Sequence, residues 1–395
     1  MKKPLIVQKF GGTSMGSIET IQTVAKHVMQ AKQQGSQVVV VVSAMAGETN
    51  RLVQMAQEID SVPDARELDV LMSAGEQVSM ALLAMTLNSQ GISAQSLTGG
   101  QAGITTNHQY NDASITHIDT TKIFSLLKQD KVVIIAGFQG VNEEGDITTL
   151  GRGGSDTSAV TLAGYLNADE CQIFTDVDGV YTADPRIIAN AEKLTTIDFP
   201  AMEEMARKGA KVLHLPCVQF AWKNNVPLRV LSTFEDNRGT LIEGGQCSRP
   251  ISGIAVQREM MLLEIERDQL SVFVSQCQML GIEIWDSVDE AGKTSILIKQ
   301  DVYAKLALIV ADKIKNSQSV GLLTLVGHHA QSLSNDVISL LLNNKIAPYH
   351  SFCCELSLSV ILDRDSLNDA ANLCHNRFIT DLTYSQHDGK KVVIG

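Results

Sequence analysis

The sequence predicts an α/β protein: a three-layer α/β/α sandwich around a mostly parallel sheet, followed by a pair of smaller α+β units of the ferredoxin-like type. Three observations carry this prediction. Short apolar runs such as 5–10, 38–42 and 131–136 alternate with segments of helical periodicity, the pattern of strands buried on both faces by crossover helices. Glycine-rich turns follow those runs, at Gly11-Gly12, at 137–140 and at Gly151-Arg152-Gly153-Gly154. In open α/β sheets, ligands bind at the carboxyl ends of the strands. Past a composition shift at 235–252, the rhythm becomes strand, helix, strand, strand, helix, twice over, the mark of an internal duplication.

Leu5 to Phe10 reads as the first strand, and Ile18, Ile21, Val24, Val28 and Ala31 recur at helical spacing until Gly35 stops them. Val38 to Val42 is a buried strand that runs into the loop Ser43 to Thr49. A helical stretch follows from Arg66 through Leu87, interrupted at Ser73-Ala74-Gly75-Glu76, with Met80 to Met85 as core packing. Strands are predicted near Ala94 to Leu97 and from Lys131 to Ala136. Turn chemistry at Asn142 to Gly145 makes Ile147 to Leu150 a returning hairpin arm. That arm delivers Gly151 to Ser158, a tight turn that opens a helix, with Ser155 as its cap and Asp156 in its first turn. Free N–H groups and the positive dipole end at such a start suit an anion.

Cys171 to Thr175 is the next strand, a helix is placed around Ala201 to Gly209, and Pro227 to Leu231 closes the first domain as its last strand. Clustered Asn, Gly and Pro at 235–252 mark the boundary, giving a first domain at 1–245 and two units at 253–318 and 319–395. In the first unit we expect strands at 261–265, 282–285 and 294–299 with helices at 269–280 and 302–314. In the second, the strands are 322–326, 346–349 and 356–362, and the helices 333–342 and 367–378.

Bulk properties narrow the function classes. A chain of 395 residues implies two or three domains, and 44% hydrophobic with 19% charged residues is ordinary globular composition. A net charge of −12 argues against nucleic acid or an acidic membrane as partner, since both need a basic field. Seven scattered cysteines do not form a disulfide framework. The start has no apolar signal core, and no apolar run reaches transmembrane length. Together these give a cytoplasmic location in a reducing compartment.

Common nucleotide motifs fail. Gly11 to Gly16 would be a Walker A loop, but Ser17 stands where the lysine is required. Gly151-Arg152-Gly153 begins like a dinucleotide fingerprint whose last glycine is Asp156. What remains is a set of polar residues at strand ends: Lys9 beside Gly11 and Gly12, Glu76, Arg152, and Lys211 far along the chain. Arg152 and Glu76 suit the two ends of a zwitterion, guanidinium for carboxylate and carboxylate for ammonium.

Lys9-Phe10-Gly11-Gly12-Thr13-Ser14, Ser43-Ala44-Met45, Gly75-Glu76, Gly137-Phe138-Gln139-Gly140, Gly151 to Asp156 and Thr175 to Arg186 occur in that order. Over residues 3 to about 245 the chain thereby resembles the aspartate kinases of the amino acid kinase superfamily, and the duplicated C-terminal units are similar to that family's paired ACT domains. The resemblance implies the amino acid kinase fold, ATP with Mg²⁺, L-aspartate as acceptor, and 4-phospho-L-aspartate as product. It implies that Lys9, Asp156 and Lys211 are catalytic. ATP would be held by Lys9, Gly11, Gly12, Ser155, Thr175, Asp176, Tyr181, Arg186 and Lys211, and aspartate by Ser43, Thr49, Glu76 and Arg152. Mg²⁺ is expected on phosphate oxygens with waters retained, so no protein metal ligand is assigned. A homodimer through the ACT-like units is implied as well. Kinases of glutamate, acetylglutamate or uridylate are alternatives within the superfamily, and an idle amino-acid sensor or a structural subunit lies further off.

The C-terminal half departs from the pattern. The family's effector loops carry Pro-Gly at the strand-to-helix junction, whereas this chain reads Glu266-Arg267-Asp268-Gln269 and His328-His329-Ala330-Gln331-Ser332, and Ser351-Phe352-Cys353-Cys354-Glu355 replaces a Ser-Thr-Ser-Glu-like strand. Weak or absent inhibition by lysine and threonine is the expectation. His350, Cys353, Cys354 and Cys374-His375 invite a zinc reading, but their spacing fits no standard set, and they are taken as core residues. His328-His329 is taken as a turn.

Overall fold

The computed structural model describes residues 3–210, 212–244, 249–290 and 292–381. By internal contacts the chain divides into two compact units, one of 1–180, 193–203 and 212–246, the other of 181–192, 204–211 and 247–395.

The first unit opens with β1 (Leu5–Phe10), α1 (Ile18–Gln33), β2 (Gln37–Val42), α2 (Glu48–Ile59), α3 (Ala65–Ser89) and β3 (Ala94–Leu97). The chain then runs through β4 (Ile104–Thr106), β5 (Ile115–Ile118), α4 (Thr121–Lys128), β6 (Val132–Ala136), β7 (Gln139–Val141) and β8 (Ile147–Thr149). The unit continues through α5 (Gly154–Leu166), β9 (Glu170–Thr175) and β10 (Thr196–Asp198). Helix α6 (Phe199–Arg207), α7 (Leu215–Lys223), β11 (Leu228–Ser232) and β12 (Thr240–Glu243) complete this part of the chain. Eight strands form one sheet in the order β10-β12-β11-β9-β1-β2-β6-β3. Every neighbouring pair in it is parallel except β11 with β12.

Burial on both faces is why these strands read as unbroken apolar runs: all five residues from Val38 to Val42 are fully inaccessible. On one face, Ile21, Val24 and Val28 of α1 and Leu83 and Leu87 of α3 pack on Val38, Val40 and Ile134. On the other, α5 lies against β1, β2 and β9. The three-layer α/β/α sandwich is therefore present. A separate four-stranded sheet, β5-β4-β7-β8, contains the hairpin β7/β8 that the Asn142–Gly145 turn predicts.

Three expectations need correction here. Helix α3 runs without a break through 73–76. Gly75 is not a helix stop: a Cβ there would sit 2.8 Å from the Ala44 Cβ, so the glycine lets the helix approach the loop after β2. Met80 is buried as expected, but Met85 is exposed. Pro227 to Leu231 leads into β11 but is not the last strand, because β12 turns back antiparallel to it within the stretch read as a boundary. Helices α2, α4 and α7 and the strands β4 and β5 have no counterpart in the sequence reading. By length and composition alone α3 could cross a bilayer. It packs instead against α1, α2 and β8 and buries Asp69 and Glu76, which identifies a core helix.

The second unit contains β13 (Gly253–Glu266), α8 (Leu270–Met279), β14 (Asp286–Glu290), β15 (Lys293–Lys299), α9 (Gln300–Val310), β16 (Ile314–Val326), α10 (Ser334–Asn343), β17 (His350–Cys353), β18 (Ser357–Leu362) and α11 (Leu367–His375). The duplicated strand–helix–strand–strand–helix rhythm is thus real, and both copies share one antiparallel sheet, β14-β15-β13-β16-β18-β17. This is the α+β, ACT-like architecture.

The strands expected at 282–285 and 346–349 lie a few residues further on, at β14 and β17, for one shared reason. Gly281 and Lys345 adopt left-handed conformations, with φ of 64° and 62°. Ile282 and Ile346 then donate backbone hydrogen bonds to Cys277 and Leu341 and pack back on the helix just ended. These isoleucines close helices rather than open strands. His328-His329 does lie in a turn. Cys353 and Cys354 are exposed rather than core, whereas Cys374 is buried and the inaccessible His375 shares a 2.8 Å hydrogen bond with Thr182 Oγ1.

Candidate active site

A cleft of about 340 Å³ opens at the carboxyl ends of β1 and β2 in the first unit. Two helix N-termini face it. Helix α5 begins behind Gly153, whose φ of 69° is a left-handed conformation and whose missing Cβ leaves room for the His214 ring, 2.5 Å from where that atom would be. Helix α2 begins behind Gly47, also left-handed at 79°. Neither cap uses a side chain; the cap of α5 is Gly153, and the expected cap, Ser155, is the second residue of the helix. The first-turn N–H groups of both helices lack intrahelical partners and carry the positive ends of the dipoles.

Between them stands a buried ion pair. Lys9, 8% exposed at the end of β1, places Nζ 2.6 Å from Oδ1 of Asp156. Asp156 thus holds the lysine head at the mouth of α5, where a free lysine would swing into solvent.

Glu76 projects from the middle of α3. One carboxylate oxygen accepts the Ala44 N–H at 3.0 Å, while Oε2 is buried without a partner. Burial outweighs the hydrogen bonds and raises its pKa to about 7. It is the one carboxylate in the cleft poised to gain most from a cation.

A third carboxylate acts from behind. Asp69, fully inaccessible on α3, accepts from Thr149 Oγ1 at 2.5 Å, from Thr149 N at 3.1 Å and from Asn111 N at 3.0 Å. It ties α3 to the last residue of β8, two positions before Gly151, and so fixes the entry to the glycine-rich loop. Burial raises its pKa and the three bonds oppose that rise.

Seven of the residues expected to act line this one cleft: Lys9, Gly12, Ser43, Thr49, Glu76, Ser155 and Asp156. Gly11 lies beside them, its absent Cβ 3.4 Å from Lys9 Nζ. Arg152 is exposed and lies outside the lining, at the tip of the loop between Gly151 and Gly153. Thr175 and Asp176 also lie outside it, at the end of β9, where the threonine hydroxyl donates to the aspartate at 3.0 Å. Tyr181 and Arg186 belong to the second unit, where Arg186 pairs with Asp184 at 2.7 Å. Lys211 falls outside the described residues.

Three contributors went unread in the sequence. Asn50 lines the cleft from the first turn of α2, and an unpredicted helix hides its own first turn. Phe138 lines it with φ at 67°, left-handed for a bulky side chain. Asp69 could have been found as a lone carboxylate on the apolar stripe of α3.

Residues 4–232 match the model of the amino acid kinase family. The chain belongs to that family. Within the family it is 55% identical over 265 residues to an aspartate kinase of Pseudomonas putida, covering 66% of this chain and 64% of that one. It is 46% identical over 290 residues to an aspartokinase of Corynebacterium glutamicum, covering 73% and 66%. The chain therefore matches slightly less than two thirds of the length of these relatives. Among solved structures, E. coli aspartokinase III in complex with lysine and aspartate superposes with a TM-score of 0.80 at 23% identity, over 95% of this chain and 99% of that one. That likeness extends the amino acid kinase fold and its C-terminal partner sheet across nearly the whole chain.

Proposed function

We propose that this amino acid kinase is an aspartate kinase, transferring the γ-phosphoryl group of ATP to the side-chain carboxylate of L-aspartate to give 4-phospho-L-aspartate and ADP. The observation that carries the reading is the Lys9–Asp156 pair at the mouth of α5, facing the unpartnered oxygen of Glu76. The similarity to proteins named aspartate kinase supports the choice of acceptor.

The chemistry asks little of general bases. The acceptor carboxylate is ionised at neutral pH, so the protein must place two anions in line and offset charge on the phosphoryl group in flight. Lys9, with the backbone at Gly11 and Gly12, takes the phosphates, and the resemblance gives Lys211 a share in that role. Asp156 keeps Lys9 aimed, and Ser155 offers its first-turn N–H. Glu76 receives the aspartate ammonium, which restores its ionised form. Arg152 swings in to clamp the α-carboxylate, with Ser43 and Thr49 beside it. Thr175, Asp176, Tyr181 and Arg186 hold the nucleoside. Mg²⁺ on the phosphates supplies further charge neutralisation.

The organisation that goes with this activity is a catalytic domain over 1–245 and ACT-like units over 253–318 and 319–395. A homodimer through those units, a cytoplasmic location, and service to lysine, threonine and methionine synthesis complete the proposal.

The test is ADP release coupled to Mg-ATP and L-aspartate, with hydroxylamine trapping the acyl phosphate. Aspartyl hydroxamate is the expected product. Turnover on another amino acid, or on none, would move the reading to a sister kinase or to a sensor.

A further inference from the structure

Besides the cleft, the first unit has a cavity of about 390 Å³ on the α1 face of the sheet, over β1, β9 and β11. Its floor contains an ordered relay of amides. Gln172 Nε2 donates to Glu170 at 2.8 Å, and Gln8 Nε2 donates to Gln172 Oε1 at 2.9 Å. Each donation polarises the next amide, and the relay ends at Gln8 Oε1, an acceptor on a side chain that is 2% exposed and has no partner. The loop over the cavity shows the converse. Asn237 Oδ1 accepts the Gly239 N–H at 2.8 Å, which leaves Asn237 Nδ2 as a buried donor with no partner. Buried polar groups of this kind are costly unless something satisfies them.

We infer that this cavity is a second binding site, for a free α-amino acid. One ligand must donate to Gln8 and accept from Asn237, and an ammonium and a carboxylate on one carbon do both. Charge in the walls agrees: Glu235 and Asp236 favour the ammonium, and Arg238 the carboxylate. Phe174 and Leu231 provide an apolar surface for a side chain. Arg229 is already committed to Glu170 at 2.8 Å and stiffens the floor rather than binding. Because neighbouring strand residues point to opposite faces, Gln8 turns towards this cavity while Lys9 turns towards the cleft. The ligand therefore sits directly behind the lysine, in a site separate from that of the proposed reaction.

The experiment titrates the full-length protein with each of the common amino acids by calorimetry, and repeats the titration with Asn237→Ala, Gln8→Met and Glu76→Gln. We expect at least one amino acid to bind, and to bind about tenfold more weakly to Asn237→Ala and to Gln8→Met, while Glu76→Gln leaves that binding unchanged. Circular dichroism of each variant confirms that it is folded. For amino acids other than aspartate, binding that survives both cavity variants, binding lost only with Glu76→Gln, or no binding at all would each overturn the assignment. None of these outcomes depends on whether the protein phosphorylates aspartate.

Discussion

The two larger sheets of this protein do different things with their strand ends. The parallel sheet sends β1, β2 and β9 to one edge, so the helices that follow β2 and the β7/β8 hairpin begin there too. Two left-handed glycines, Gly47 and Gly153, start α2 and α5 without side-chain caps. Their dipoles converge on the Lys9–Asp156 pair and on Glu76. The antiparallel sheet spreads its strand ends over both edges. Its strand-to-helix junctions at Arg267–Gln269 and Gln331–Leu333 are short 3₁₀ turns, and no cluster of three or more His, Cys, Asp or Glu that could hold a metal occurs among the described residues. Parallel topology concentrates polar groups at one edge, whereas antiparallel topology disperses them.

The sharpest way to break this contrast is to make matched lesions. Lys9→Ala removes the cation that Asp156 fixes at the mouth of α5, and a contact of that type is typically worth about 10²–10³-fold in turnover. We expect that loss in hydroxamate formation, with the variant still folded by circular dichroism. His329→Ala, in the β16-to-α10 turn, should leave turnover unaltered. Equal effects from the two would mean that chemistry is not confined to the parallel sheet.

The next effect is on stability. Asp69→Ala strips acceptors from Thr149 and Asn111 inside the protein, a loss of roughly 3 kcal/mol that thermal or urea unfolding would read directly. It should also slow turnover, since the Gly151 loop loses its anchor. A variant as stable as the parent would show that Asp69 merely fills space.

Most of the parallel architecture was legible because two-sided burial leaves uninterrupted runs such as 38–42, and because glycines mark the strand ends. Several residues of the cleft were legible because they stand in or close to glycine-bearing loops, as Lys9, Gly12, Ser155 and Asp156 do. What escaped reading depends on distant neighbours. Gly75 looks like a break until Ala44 is seen against it, and Ile282 and Ile346 look like strands until they fold back on their own helices. Asp69 shows in the sequence only as a lone carboxylate on an apolar helix stripe, and its role depends on Thr149 and Asn111, which lie outside that helix.

A smaller effect, with a definite sign, belongs to Glu76. Its folded pKa of about 7 stands above the ordinary value of 4.5. Between those values the folded protein keeps a proton that the unfolded chain releases, so stability falls as pH rises through that window and levels off above pH 7. The total is roughly 3 kcal/mol. Glu76→Gln removes the titration, so the variant should match the parent near pH 5 and exceed it at pH 8 in thermal unfolding. The same group should shape the proposed reaction. kcat/KM for aspartate should fall as pH drops below 7 in the parent, and should be low and flat across that range in Glu76→Gln. A parallel pH profile in both proteins would separate Glu76 from substrate binding.

The smallest expected effect tests the antiparallel sheet itself. The resemblance to ACT domains would place an effector amino acid on backbone N–H groups of a tight turn at a strand-to-helix junction, and both junctions here lack the Pro-Gly that would shape one. Glu266 and Asp268 add negative charge where the carboxylate of an effector would have to lie, which works against binding. Allosteric couplings usually change affinity by about 5–150-fold. Lysine or threonine, alone or together, should change aspartate turnover by less than the lower end of that range. Strong inhibition by either one would show that these junctions still bind an amino acid. Inhibition abolished by Asn237→Ala would place the effect behind Lys9 instead, and the dispersed ends of the antiparallel sheet would remain without a ligand.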